Sequence, residues 1–230
     1  MSLFVMADLH LSSDRSNSME IFGPRWQDYM EKIQKNWNLV VSPEDTVIVP
    51  GDISWSLRLE DSLDDFRFLD GLNGKKLIGK GNHDFWWSTH SKLRTFWEQN
   101  QISSVDILYN NAHRFENCIV SGTRGWFVEE NQQHTVGNVE HAKIVNREAI
   151  RLRLSLEEAV RLRGDDKDLP IVVFSTSLPF GTISFAGKFW TCFMSLRSKP
   201  AISGIFTAHI MPQEHRPLRG STSPFAPRII

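Results

Sequence analysis

Three apolar runs in this chain end in side chains that bind metal ions or move protons. "LFVMADLH" from Leu3 delivers Asp8 and His10, "TVIVPGD" from Thr46 delivers Asp52, and "KKLIGKGNHD" from Lys75 delivers Asn82 and His83. Each run reads as a buried strand feeding a loop. Alternation along an extended chain would put Asp8 and His10 on the same side, within reach of one ion. Two carboxylates, an imidazole and a neutral amide oxygen form a mixed nitrogen and oxygen set, which suits Mn²⁺, Fe or Zn²⁺ better than Ca²⁺. Gly51 and Gly81, just before Asp52 and Asn82, let the backbone turn sharply and let a bulky ligand approach. Taken singly, an Asp after a strand is a cap or turn residue and a lone His belongs to the surface or the core. Three such strand ends, with Asp52 44 residues after Asp8 and Asn82 30 residues after Asp52, favour the metal reading.

The elements that must hold these loops follow from periodicity. "GPRWQDYMEKIQKNW" carries Trp26, Tyr29, Met30, Ile33 and Trp37 at helical spacing, with Pro24 near its start. A second helix from about residue 59 to 69 presents Leu59, Leu63, Phe66 and Leu69 on one side. "NCIVSGTRGWF" reads as a further strand and turn, and residues 139 to 163 as a long helix closed by Gly164, its charges on a solvated face. Strands alternating with helices predict an α/β layered fold with its site at the carboxyl ends of the strands.

Composition narrows the function. With 230 residues and 40% hydrophobic content the chain can bury a core, and a net charge of -1 creates no global field for long nucleic acid or anionic lipid. Cys118 and Cys192 lack metal or disulfide spacing and read as ordinary buried thiols of a reducing compartment. No basic leader and no apolar segment of membrane-spanning length is visible, so the expected location is the cytoplasm.

Through "ADLH" at 7 to 10, "PGDISW" at 50 to 55 and "GNHD" at 81 to 84, the chain resembles the calcineurin-like metallophosphoesterases, up to about residue 174. "GTRGW" at 122 to 126 is similar to a bacterial branch of predicted phosphohydrolases. The resemblance implies a four-layer αββα sandwich of mixed sheets with two divalent metal ions at its rim. Asp8 and His10 would hold the first, Asp52 would bridge both, and Asn82 would bind the second. His83 would contact the phosphate and help the leaving group depart. The implied reaction is hydrolysis of a small phosphate ester by metal-bound hydroxide, which needs no Ser or Cys nucleophile. Asp84 either orients His83 or caps a helix, Trp86 and Trp87 wall the cleft or fill the core, and Arg124 clamps a phosphate or forms a surface ion pair.

Two motifs of the family are missing, an H-x-P-P turn after a strand and a G-H-x-H pair about 30 residues later. The chain has "STSLPF" after "LPIVVF", and "SGIFTAHIMP" farther on. If the gene is read one base out of register from about Phe174, joining the last base of each written codon to the first two of the next, codons spelling "LHFPP" arise from Phe174 onward. Those spelling "GHLH" arise from Ser203 onward. Of the 27 acidic residues only Glu214 lies beyond Asp168, whereas seven of the ten prolines do, which marks the same boundary. Residues 1–174 are therefore read as the metallophosphoesterase domain and 175–230 as an out-of-frame continuation that impairs activity. The alternatives are a diverged member in which His209 or His215 replaces a lost ligand, and a non-catalytic remnant that acts as a binding module.

Overall fold

The structure, a computed structural model, describes residues 1–14, 17–125, 138–176, 202–207 and 228–229. Cys192, His209 and His215 lie outside them. In chain order the elements are β1 (Leu3–Val5), α1 (Tyr29–Val40), β2 (Thr46–Val49), α2 (Leu63–Asp70), β3 (Lys75–Ile78), α3 (His90–Gln99) and β4 (Val105–Ile107). There follow β5 (Asn111–Arg114), β6 (Ile119–Thr123), α4 (Asn138–Arg163), β7 (Ile171–Ser175), β8 (Ile202–Thr207) and β9 (Arg228–Ile229). They fall into two compact units, Met1–Ile107 with Pro212–Ile230, and Leu108–Met211. The α/β class is as expected, with one parallel and one mixed sheet.

The first unit is built on a parallel sheet in the order β4-β3-β2-β1-β9. β2 is buried along its whole length, which is why "TVIV" reads as a continuous apolar run. Helices α1 to α3 contribute Trp37, Phe66, Leu69, Leu93 and Trp97 to the core. Trp86 joins them at 2% exposure, edge-on to Phe66 at 5.0 Å between ring centroids, while Trp87 is half-buried. Lys76 on β3 is fully buried, and its ammonium donates to the carbonyls of Asp70 (3.4 Å) and Leu72 and to the Ser104 hydroxyl (2.9 Å). A cation thus closes the C-terminal end of α2.

α1 starts later than its periodicity suggests. Pro24–Trp26 form a separate 3₁₀ turn, and Asp28 at φ 53° breaks the chain before Tyr29. The second helix is likewise split, with 3₁₀ geometry over Glu60–Ser62 before α2.

The second unit has the strand order β5-β6-β7-β8, with β5 antiparallel and the others parallel. α4 lays Val145, Leu152, Leu156 and Ala159 against Ile119, Ile171 and Val173. The Ser155 hydroxyl meets Ser121 Oγ at 2.6 Å, accepts from the Gly122 N–H at 3.1 Å and lies 2.8 Å from the Asn111 carbonyl, pinning helix to sheet. The helix ends where expected, at Gly164 with φ 60°. Its charges are not all solvated: Glu148 is fully buried and receives the Arg151 guanidinium at 2.5 Å. Cys118 is a buried free thiol, pushed up in pKa by its burial. Among the described residues no helix is long and apolar enough to cross a membrane.

Candidate metal centre

Because β1, β2 and β3 are adjacent and parallel, their C-terminal ends open along one edge. The loop after β1 runs beside the loop after β2: the N–H groups of Asp8, His10 and Leu11 donate to the carbonyls of Gly51 (3.3 Å), Asp52 (2.9 Å) and Ile53 (2.8 Å). The Trp55 N–H returns a bond to Leu11 at 3.0 Å. Tyr29 from α1 donates its hydroxyl to the His10 carbonyl at 2.8 Å, and Asp65 from α2 accepts the Ser13 N–H (2.7 Å) and the Ser54 hydroxyl.

Within this frame the side chains of Asp8, His10 and Asp52 converge, with one potential ligand atom from each lying within 4.8 Å of the others. They do so differently from the strand alternation expected above. β1 ends at Val5, and Asp8, His10 and Asp52 all adopt left-handed backbone, at φ 55°, 45° and 54°. For residues with a Cβ this conformation costs about 1–2 kcal/mol each, so the surrounding bonds must enforce it.

The third loop closes on the same point. The His83 N–H donates to Asp52 Oδ1 at 2.9 Å, and Asn82, half-buried, stands between His83 and Gly81. Gly81 is required for a reason other than a turn or room for a ligand. A Cβ there would collide with the Asp52 carboxylate, lying 2.6 Å from its Cγ. Gly79 similarly lets the chain pass Pro50, whose carbonyl carbon would be 2.7 Å from an added Cβ.

Asp84 neither orients His83 nor caps a helix. Fully buried, its carboxylate accepts from the backbone N–H of Asp52 (2.9 Å), Ile53 (2.8 Å) and Gly81 (2.7 Å) and from the Trp86 indole (3.1 Å). It ties the second loop to the third. Burial, and then the Asp52 carboxylate, push its pKa up to about 6, against the pull of those N–H groups. The cue lay in "GNHD", whose last residue has a bracing role that sequence reasoning missed.

The donor set fits a divalent cation. His10 Nδ1 is buried and has no hydrogen-bond partner, as a nitrogen reserved for a ligand would be. Burial lowers the His10 pKa, opposed by Asp52 and assisted by His83, so the ring favours the neutral form that a metal needs. His83 stands beside the trio, its ring centroid 5.5 Å from that of His10. Trp55, to which sequence reading gave no role, stacks on His10 at 4.6 Å and meets His83 edge-on at 4.7 Å. Arg124 belongs to the other unit, directly after β6. It is half-buried, its charge acts on Glu148 and Tyr109, and its carbonyl accepts from the Ser175 hydroxyl at 3.1 Å.

A family model described as calcineurin-like phosphoesterase matches residues 1–213. Among curated proteins none matches. Solved structures that this chain matches include the protein of unknown function AQ665 from Aquifex aeolicus, at 15% identity over 82% of this chain and 85% of that one, with a TM-score of 0.40. Another is phosphopantetheinyl hydrolase (PptH) from Mycobacterium tuberculosis, at 14% identity over 82% and 73% of the two chains, with a TM-score of 0.46. The chain therefore belongs to the calcineurin-like phosphoesterase family, whose members are hydrolases of phosphoesters and usually bind divalent metals.

Proposed function

We propose that this chain hydrolyses a small phosphate ester with the help of two divalent ions, Mn, Fe or Zn. Asp8 and His10 would hold the first, Asp52 would serve both and Asn82 would hold the second. The observation that carries this reading is the convergence of three donors, all on strained backbone, within 4.8 Å. When bound, such ions polarise phosphoryl oxygens and lower the pKa of water. The chain's own residues do the rest. Asp84 braces the Asp52 backbone, the His83 N–H holds the Asp52 carboxylate, Trp55 packs against both imidazoles, and the His83 ring gives a proton to the departing alcohol oxygen. The substrate is small and the chain works in the cytoplasm. Its net charge of -1 argues against long nucleic acid.

The centre is incomplete in the chain as written, because residues 175–230 carry a shifted reading frame. Support comes from the pairing of β7 with β8, in which Ser175 lies opposite Thr207. The rephased His codon spanning Ser175 and Thr176 and that spanning Phe206 and Thr207 thus fall at neighbouring strand ends. Third bases across codons 170 to 210 that forbid "HFPP" and "GHLH" would rule the shift out. The missing imidazoles also favour a second reading, a one-ion binding module without turnover.

Hydrolysis of an aryl phosphate and an aryl phosphodiester with added Mn²⁺ separates the two and tells monoester from diester specificity. Turnover abolished by Asp52→Asn supports the hydrolase, while turnover that survives this change overturns it. Mn²⁺ binding without any turnover leaves the binding module.

A further inference from the structure

The loops that carry the candidate ligands also carry aromatic rings that no ligand role explains. Phe85, two residues after His83, meets that imidazole at 6.4 Å between ring centroids and 82° between planes, yet the residue remains 62% exposed. Trp55 meets the same imidazole edge-on at 4.7 Å, so His83 is flanked by aromatic rings from two separate loops. An exposed phenyl ring gains little from folding, since most of its apolar area stays in water. Here it stands at a histidine that neighbours the metal trio.

We infer that Phe85 and Trp55 form an aromatic wall for the organic half of the substrate, and that the substrates are phosphate esters of aromatic or otherwise flat, apolar alcohols. This rests on the reading of Asp8, His10 and Asp52 as the phosphoryl end of the site. An ester held there by its phosphoryl oxygens must bring its bridging oxygen within hydrogen-bond reach of His83 for that imidazole to protonate it. The substituent on that oxygen then lies about one ring's width from Phe85. Aromatic pairs form at centroid separations of about 4.5–7 Å, and the open face of Phe85 is free to supply one. Trp55, already engaged with both imidazoles, is the fixed part of the wall, and Phe85 is the residue that discriminates.

Titration calorimetry of the full chain with Mn²⁺ tests this, using phenylphosphonate and methylphosphonate, which bind without being hydrolysed. Phenylphosphonate is expected to bind about tenfold more tightly, as one well-placed aromatic contact and its buried area require. Phe85→Ala should reduce the preference to about twofold and leave methylphosphonate binding unchanged, while Phe85→Tyr, which keeps the ring, should retain it. Equal affinities for the two phosphonates, or a preference untouched in Phe85→Ala, overturn the inference and leave the phosphoryl site standing. If neither phosphonate binds, or if binding is indifferent to Mn²⁺, the phosphoryl reading fails and the aromatic wall falls with it.

Discussion

Replacing Gly81 by alanine adds one methyl group at the point where the second and third loops touch. That carbon would sit 2.6 Å from Asp52 Cγ and still closer to Oδ1 and the backbone nitrogen. Carbon atoms rest about 3.5–4 Å apart, so one loop must retreat by about 1 Å. Two hydrogen bonds span the same gap, His83 N–H to Asp52 Oδ1 and Asp52 N–H to Asp84 Oδ2, both at 2.9 Å. Bonds to charged acceptors contribute about 1.5–3 kcal/mol each, and the lower entropy of an alanine-bearing unfolded chain returns up to about 1 kcal/mol. The expected net loss is about 2–5 kcal/mol, a large share of the roughly 5–15 kcal/mol that holds a typical domain together. Urea unfolding measures it, with two glycines as internal references. Gly71→Ala meets only ordinary contacts at 3.4 and 3.5 Å on helical backbone and should change stability by less than about 0.5 kcal/mol. Gly164→Ala has open space but φ 60°, and should lose about 1–2 kcal/mol from backbone strain alone. If Gly81→Ala matched Gly71→Ala, close approach of the loops would not be what this glycine provides.

Two further outcomes follow from buried ionisable groups. Asp84→Leu fills the same space but removes the acceptor for the N–H groups of Asp52, Ile53 and Gly81 and for the Trp86 indole. At about 1–3 kcal/mol for each stranded donor it should lose at least about 4 kcal/mol in denaturant titrations, and a loss below 1 kcal/mol would show that the carboxylate braces nothing. Burial pulls the Lys76 ammonium from 10.5 down to about 8, against nearby Asp70. Between those values only the unfolded chain holds the proton, so this group makes stability rise with pH across that window by up to about 3 kcal/mol. Unfolding midpoints from pH 7.5 to 10 should therefore climb in the wild type relative to Lys76→Met, and parallel curves for the two proteins would refute it.

The parts of this fold that sequence exposes are those where one residue type serves one physical need. β1 and β2 are apolar because adjacent parallel strands are buried, and Gly164 ends α4 because a left-handed residue must. Asp8, His10 and Asp52 could be picked out by chemistry, but not the way they meet. Left-handed Asp and His carry no mark in a sequence, since the bonds that impose the conformation come from loops far away in the chain. Asp28 hid the start of α1 for the same reason. α3 gave little signal because, over His90–Gln99, only Leu93 and Trp97 are buried. Asp84 was visible and misjudged, because a carboxylate beside a histidine suggests a dyad while its real partners are amide groups that every residue possesses.

The pairing of β1 with β9 ties Phe4 to Arg228 and Val5 to Ile229. The strand that leads into Asp8 and His10 thus has one flank covered early, by β2, and the other only when residues from the opposite extreme of the numbering arrive. Until then its unpaired edge is a template for stray strands. A lesion that removes residues 228 and 229 would accordingly be felt at the first two donors of the site, and a nascent chain released before them would meet its neighbours with that edge bare.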